Sequence, residues 1–230
     1  MAKQNVQKDE ERLESIESTL GKTEMFIENN KKTITTVVVA LIIIVLAVFG
    51  VKKYYMEPRE QEAQTAIFRA EQLFGNDDFA TALNGDGNNM GFIDVINEYG
   101  GTKTANLAKY YAGICYLNTG DFANAVKYLG EFNGKDQIVK PLATGAMGDA
   151  YMELGNVAEA AKCYEKAAKE SKNTFTSPMM LLKAGYAYEM VEDYQKALEM
   201  YKLIKSDYIN SNEGFNIEKN IAYIETKLGK

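Results

Sequence analysis

The side chains that most often carry chemistry are scarce in this chain. Its 230 residues include no His, which removes the commonest general base and the commonest metal ligand. The only two cysteines, Cys115 and Cys163, belong to no Cys-x-x-Cys pair, so neither a zinc site nor thiol–disulfide exchange is indicated. Asp77-Asp78 and Asp86-Gly87 are the acidic groups that could hold a hard cation, but they are isolated in loop sequence. An Asp at the opening of a turn accepts backbone N–H bonds, which explains them better than calcium does. There is no Ser-His-Asp set and no glycine-rich phosphate loop. A formal net charge of −6 gives no footprint for nucleic acid. No catalytic residue, cofactor, metal or small-molecule substrate is expected, which leaves binding to other polypeptides as the chemistry to look for.

One element that would position such binding is plain. Residues 33–51 read TITTVVVALIIIVLAVFGV, without a charge or a Pro, between Lys31-Lys32 and Lys52-Lys53. As a helix this run is about 28 Å long, close to the roughly 30 Å hydrocarbon core of a bilayer. A signal peptide would have a shorter apolar run, a basic leader and a small-x-small cleavage site; the leader here is long and of mixed charge, and Phe49-Gly50-Val51 offers no such site. The segment therefore predicts a transmembrane helix, with its lysines snorkelling and Tyr54 and Tyr55 at the headgroups. Residues 1–32 are a polar tail. Within it Leu13, Ile16 and Leu20 have helical spacing among acids, which fits either a short amphipathic helix or a disordered tail. Residues 52–59 are expected to be a linker.

Beyond the linker the chain shows no alternating strand pattern and repeats itself instead. Residues 110–129, 145–164 and 182–201 each carry Gly, then an aromatic three residues on: Gly113/Tyr116, Gly148/Tyr151 and Gly185/Tyr188. Each has Ala twelve residues after the Gly (Ala125, Ala160, Ala197) and a large residue four later (Leu129, Tyr164, Tyr201). Gly makes room where two helices cross closely, the aromatic fills the space beside the crossing, and Ala faces it from the second helix. Gly120 and Gly155 suit the turn between the helices, where positive φ costs Gly least. A period near 35 residues is the signature of stacked helical hairpins.

This pattern resembles the tetratricopeptide repeat. It departs where the family has a bulky aromatic early in the first helix (here Lys109, Thr144 and Leu181), at Glu192 in place of a turn Gly, and at Ile209, near the place of the closing Pro. The resemblance implies an all-α fold: one N-terminal transmembrane helix, then a tetratricopeptide-repeat α-solenoid with a C-terminal capping helix. A degenerate first repeat is expected over 60–100, with Ala70, Leu73, Phe79 and Ala82 in register and a loop at 84–91 (NGDGNNMG). Three repeats plus the cap occupy 101–230, the cap carrying Ile217, Ile221, Ile224 and Leu228 on one stripe. Cys115 and Cys163 then fall in elements that are not neighbours, so both are expected to be unpaired.

In this family the first helix of each hairpin lines a concave groove. Carried over by position, the lining is Leu107, Tyr110, Ile114 and Leu117, then Leu142, Asp149 and Met152 with Gly145 leaving space, then Met179, Leu182, Tyr186 and Glu189. An apolar floor with Met and aromatics suits peptide segments, unless those side chains pack under the cap or the first repeat. One anchor followed by such repeats also resembles the YfgM-like ancillary subunits of the bacterial Sec translocon. The nearest local echo is EYGGTKTANLAKYYAG (98–113). That layout implies a non-enzymatic protein of the bacterial inner membrane. Its tail would be cytoplasmic and its repeats periplasmic, touching the translocon, periplasmic chaperones or secreted clients. A structural scaffold for an envelope complex is the alternative. Lysines flank both ends of the anchor, so charge alone does not orient it.

Overall fold

A computed structural model describes residues 25, 26 and 28–230. The acidic segment of the polar tail lies outside the described residues. The chain divides into two compact units, one ending at Pro58 and the other running from Arg59 to Lys230.

In the first unit, helix α1 spans Lys31–Val51 and buries none of its side chains. It is long and apolar enough to cross a membrane. Two of its hydroxyls bond within the helix, Thr35 donating to the Lys31 carbonyl and Thr36 to that of Lys32. Residues 52–59, expected as a linker, are helical instead. Lys52–Met56 form one π-helical turn, closed by the Glu57 N–H on the Lys52 carbonyl. The cause is Pro58, which has no N–H to give to the carbonyl four residues back; the helix widens by one residue there and resumes.

The second unit holds α2 (Glu57–Gly75, from Arg59 on), α3 (Phe79–Asn84), α4 (Phe92–Glu98), α5 (Lys103–Thr119), α6 (Phe122–Glu131), α7 (Val139–Glu153), α8 (Val157–Ser171), α9 (Thr176–Met190), α10 (Tyr194–Asp207) and α11 (Ile217–Lys227). No strand occurs among the described residues. The helices pair as hairpins α5–α6, α7–α8 and α9–α10, each packed on the next.

The hairpin turns share one local design. A residue with positive φ (Asp77, +59°; Gly120, +83°; Gly155, +76°; Glu192, +60°) reverses the chain. Asp or Asn then follows as N-cap. The carboxylates of Asp78, Asp121 and Asp193 accept from the N–H three residues on, at 3.2–3.3 Å, satisfying a donor the helix leaves free. Asn156 makes no such side-chain bond.

At each crossing the Gly faces the large residue sixteen positions later. A Cβ on Gly113 would lie 2.5 Å from Leu129 Cγ, on Gly148 2.7 Å from Tyr164 Cε1, and on Gly185 2.2 Å from Tyr201 Cε1. The large side chain thus occupies the volume the Gly vacates, while Ala125, Ala160 and Ala197 are wholly buried. Cys115 and Cys163 are buried and unpaired; burial pushes the Cys115 thiol up to about 12, so it is inert.

In the region 60–100, α2 and the short α3 are followed by the loop 85–91 and by α4. Asp86 accepts from the backbone N–H groups of Asn88 and Asn89, which makes it a turn former. Ile67, Ala70, Leu83, Phe92 and Val95 join Ala108, Ala112 and Cys115 of α5 in one core. The Glu60 carboxylate caps α5 from outside, accepting from Lys103 N at 2.6 Å, Thr104 N at 3.2 Å and the Thr104 hydroxyl at 2.7 Å. Thr102 takes the next donor, Ala105 N. Burial raises the Glu60 pKa, but these donors outweigh it and hold the carboxyl below its ordinary value. At the other end Ile217, Ile221 and Ile224 of α11 are buried and Leu228 is half-buried, closing the last apolar face.

Candidate functional site: the stripe on the first helices

The candidate lining residues lie at helical spacing along α5, α7 and α9. On α5, Leu107, Tyr110, Ile114 and Leu117 are half-buried against a core made by Ala125, Leu129, Phe132, Ala143, Ala146 and Ala150. The Tyr110 ring sits 5.7 Å from that of Phe132. The first helix of one hairpin thus leans on the first helix of the next, which takes part of each side chain out of water. Leu142 and Met152 of α7 and Met179 and Leu182 of α9 pack in the same half-buried way on the second core. Gly145 is buried, and a Cβ there would meet Met180 Cε at 2.4 Å. Tyr186 is the exception at 47% exposed, its ring 6.1 Å from that of Tyr201.

The two acids on the stripe are engaged. Asp149 accepts from the Tyr164 hydroxyl at 2.6 Å and from Lys183 Nζ at 2.8 and 3.0 Å. Lys183 also lies over the Tyr164 ring. Glu189 accepts from the Tyr201 hydroxyl. Burial first, and the carboxylate partner second, push both phenols above the ordinary tyrosine range. The stripe therefore presents no unpaired cation to a carboxylate ligand. It offers thioether, aliphatic and aromatic surface with fixed acids. Among the described residues no group of three or more His, Cys, Asp or Glu side chains is placed to hold a metal.

Sequence reasoning missed these pins, although a signal was present within the repeats. The copy with Leu129 has Ile114 and Leu117 on its stripe; the copies with Tyr164 and Tyr201 have Asp149 and Glu189. The acid occurs where the tyrosine does. Lys183 gave no such signal, because its partner lies on another hairpin.

Helical hairpins stacked in one direction with a terminal cap define an α-solenoid, and its repeat is of the tetratricopeptide type. Residues 107–135 and residues 142–174 each match a family model described as tetratricopeptide repeat. Among solved structures the chain is similar to the putative kinesin light chain nearly identical TPR-like repeats of Podosopora anserina, in two crystal structures, one of them of a Gln-to-Met variant. Identity is 13% to one and 14% to the other, over 74% of this chain and 88% of those, with a TM-score of 0.54 for both. At that identity the likeness is one of fold. No curated protein matches the chain. Repeats of this type are protein-interaction modules.

Proposed function

We propose that this protein is a membrane-anchored, non-enzymatic binding protein that holds segments of other polypeptides on the stripe along α5, α7 and α9. The observation that carries this reading is the stripe itself: Leu107 through Glu189, mostly apolar and half-buried, its two acids held by tyrosines, with Tyr186 exposed near its end. A surface of Met and aromatic groups adapts to varied sequences. Residues 33–51 serve as the anchor. Confinement to a membrane raises the local concentration of partners, so individually weak contacts suffice.

The proposed location rests on layout. A membrane helix near the N-terminus, not followed by a cleavage signal, suits a cytoplasmic tail and a periplasmic repeat unit in the inner membrane of a bacterium. The arrangement resembles the YfgM-like subunits, which favours the translocon, periplasmic chaperones or secreted clients as partners.

Two experiments test this. Alkaline phosphatase fused after Lys230 is active if the repeats face the periplasm; inactivity, with fluorescence from a cytoplasmic reporter at the same site, overturns the location. A photo-crosslinking residue at Tyr186 or Met152 captures translocon subunits or chains in transit if the partners are those proposed. Capture of one stoichiometric envelope protein instead makes the chain a scaffold.

A further inference from the structure

We propose that the edge of the solenoid formed by its hairpin turns docks a segment of a partner polypeptide in which apolar residues are flanked by Lys or Arg. This inference rests on the polypeptide-binding reading above and supplies the chemistry of the partner.

On one edge of this unit the turns carry acids alone. The turns joining first to second helices are residues 76–78, 119–121, 154–156 and 191–193. Together they carry Asp77, Asp78, Asp121, Glu192 and Asp193 and not one Lys or Arg. The connections on the opposite edge are balanced, with Lys135 beside Asp136 in 132–138, Lys172 in 172–175 and Glu213 in 208–216. Glu153 adds an exposed acid beside the third turn. Among the described residues neither Glu153 nor Glu192 has a cation partner, whereas Asp193 has Lys196 at 3.9 Å.

The same edge exposes large apolar side chains: Leu154 at 43%, Met190 at 62% and Val191 at 39%. Leu154 and Val191 immediately precede the residues of positive φ, where the chain reverses. α7 and α9 run in the same direction and are tied by the Asp149–Lys183 pair, so both helix ends face the same edge. Exposed apolar groups next in sequence to Glu153, Glu192 and Asp193 are solvated poorly by water, and a cation-bearing apolar segment covers them well.

Charge also disfavours two other occupants. A second copy set with the same edge against this one would oppose acid to acid, and an anionic lipid surface would be repelled. A basic polypeptide gains on both counts.

The test uses the full chain in nanodiscs of zwitterionic phosphatidylcholine, with empty discs as blank. Three fluorescent peptides share one Leu- and Met-containing core and differ only in flanks of Lys, Ser or Glu. Anisotropy is expected to show the Lys-flanked peptide bound about tenfold more tightly than the Glu-flanked one, the gap shrinking as salt rises. The charge reversal E153K/E192K is expected to invert that order, and the milder E153Q/E192Q to abolish it; a melt followed by circular dichroism checks that each variant is folded. Leu154→Ser with Met190→Ser is expected to weaken all three peptides. Equal binding of the three peptides, or an order unchanged in both charge variants, overturns the edge proposal and leaves the stripe reading standing. No binding of any peptide overturns both.

Discussion

Replacing Gly185 by Ala tests the packing logic of the whole array. The added methyl would stand 2.2 Å from Tyr201 Cε1, 2.6 Å from Cζ and 2.9 Å from Cδ1, where ordinary contact begins at 3.4 Å. The ring must retreat by more than an ångström, yet Tyr201 is 0% exposed, its hydroxyl is held by Glu189 and its ring meets Tyr186 edge-on. Overpacking of this kind costs about 1–3 kcal/mol, and a rigid ring with no free volume belongs at the upper end. Against it, Gly→Ala within a helix returns about 1 kcal/mol. The expected net loss is about 2 kcal/mol, or a melting point lower by about 4–8 °C for a unit of this size. Gly130→Ala is the control: its Cβ would find only Met147 Sδ, at 3.7 Å, so propensity alone acts and stability rises by about 0.5–1 kcal/mol. Urea and thermal unfolding followed by far-ultraviolet circular dichroism reads both. Adding Tyr201→Ala to Gly185→Ala should cost less than the two changes summed. A Gly185→Ala protein as stable as wild type, or additivity in the double variant, refutes the account of the crossing.

Three further outcomes follow from the turns, caps and phenols. Glu192→Gly should raise stability by about 1 kcal/mol in the same assay, because Glu192 holds φ +60°, a conformation that costs a side-chain-bearing residue about that much. Glu60→Ala should lose about 1 kcal/mol, the usual worth of a helix cap. The Glu60 carboxyl is depressed below its ordinary 4.5, so its contribution is present above that pH and disappears as pH falls through the native value. Wild type should therefore lose more stability in acid than the Glu60→Ala variant does, which an acid titration of unfolding midpoints will show. Tyr164, Tyr188 and Tyr201 are all raised above their ordinary 10.0, so only the unfolded chain ionises them readily; stability holds below pH 10 and falls above it. Alkaline unfolding should coincide with phenolate absorbance and should weaken when the three are replaced by Phe.

The turns, crossings and cap were legible because each depends on one residue type at a fixed offset: Gly113, Gly148 and Gly185 could only be small, and Gly120 and Gly155 could only be turns. The stripe could be assigned by position on α5, α7 and α9, but its degree of exposure could not. That depends on how far each first helix leans on the next, and no spacing within a helix encodes it. The pairing of Gly with Leu129, Tyr164 and Tyr201 was half legible: the large residues were visible, but their aim at the Gly was not. Residues 52–59 misled because six polar and aromatic residues around Met56 and Pro58 read as a break, whereas a single missing N–H is absorbed by one widened turn. The Glu60 cap joins residues more than forty positions apart, a distance over which local pattern is silent.

The unequal turn residues have a consequence for how the array comes apart. The two inner hairpin turns use Gly120 and Gly155, while the outer two place Asp77 and Glu192 in the left-handed conformation. In a linear stack each hairpin is stabilised only by its neighbours, and a terminal hairpin has one fewer. The outer turns thus add local strain where neighbour support is already least, so opening begins at both ends and runs inward, like a zipper with two pulls. The part of the stripe from Leu107 to Met152, on the hairpins with glycine turns, is then the last to lose its shape, and a partner held there stays held while the ends breathe.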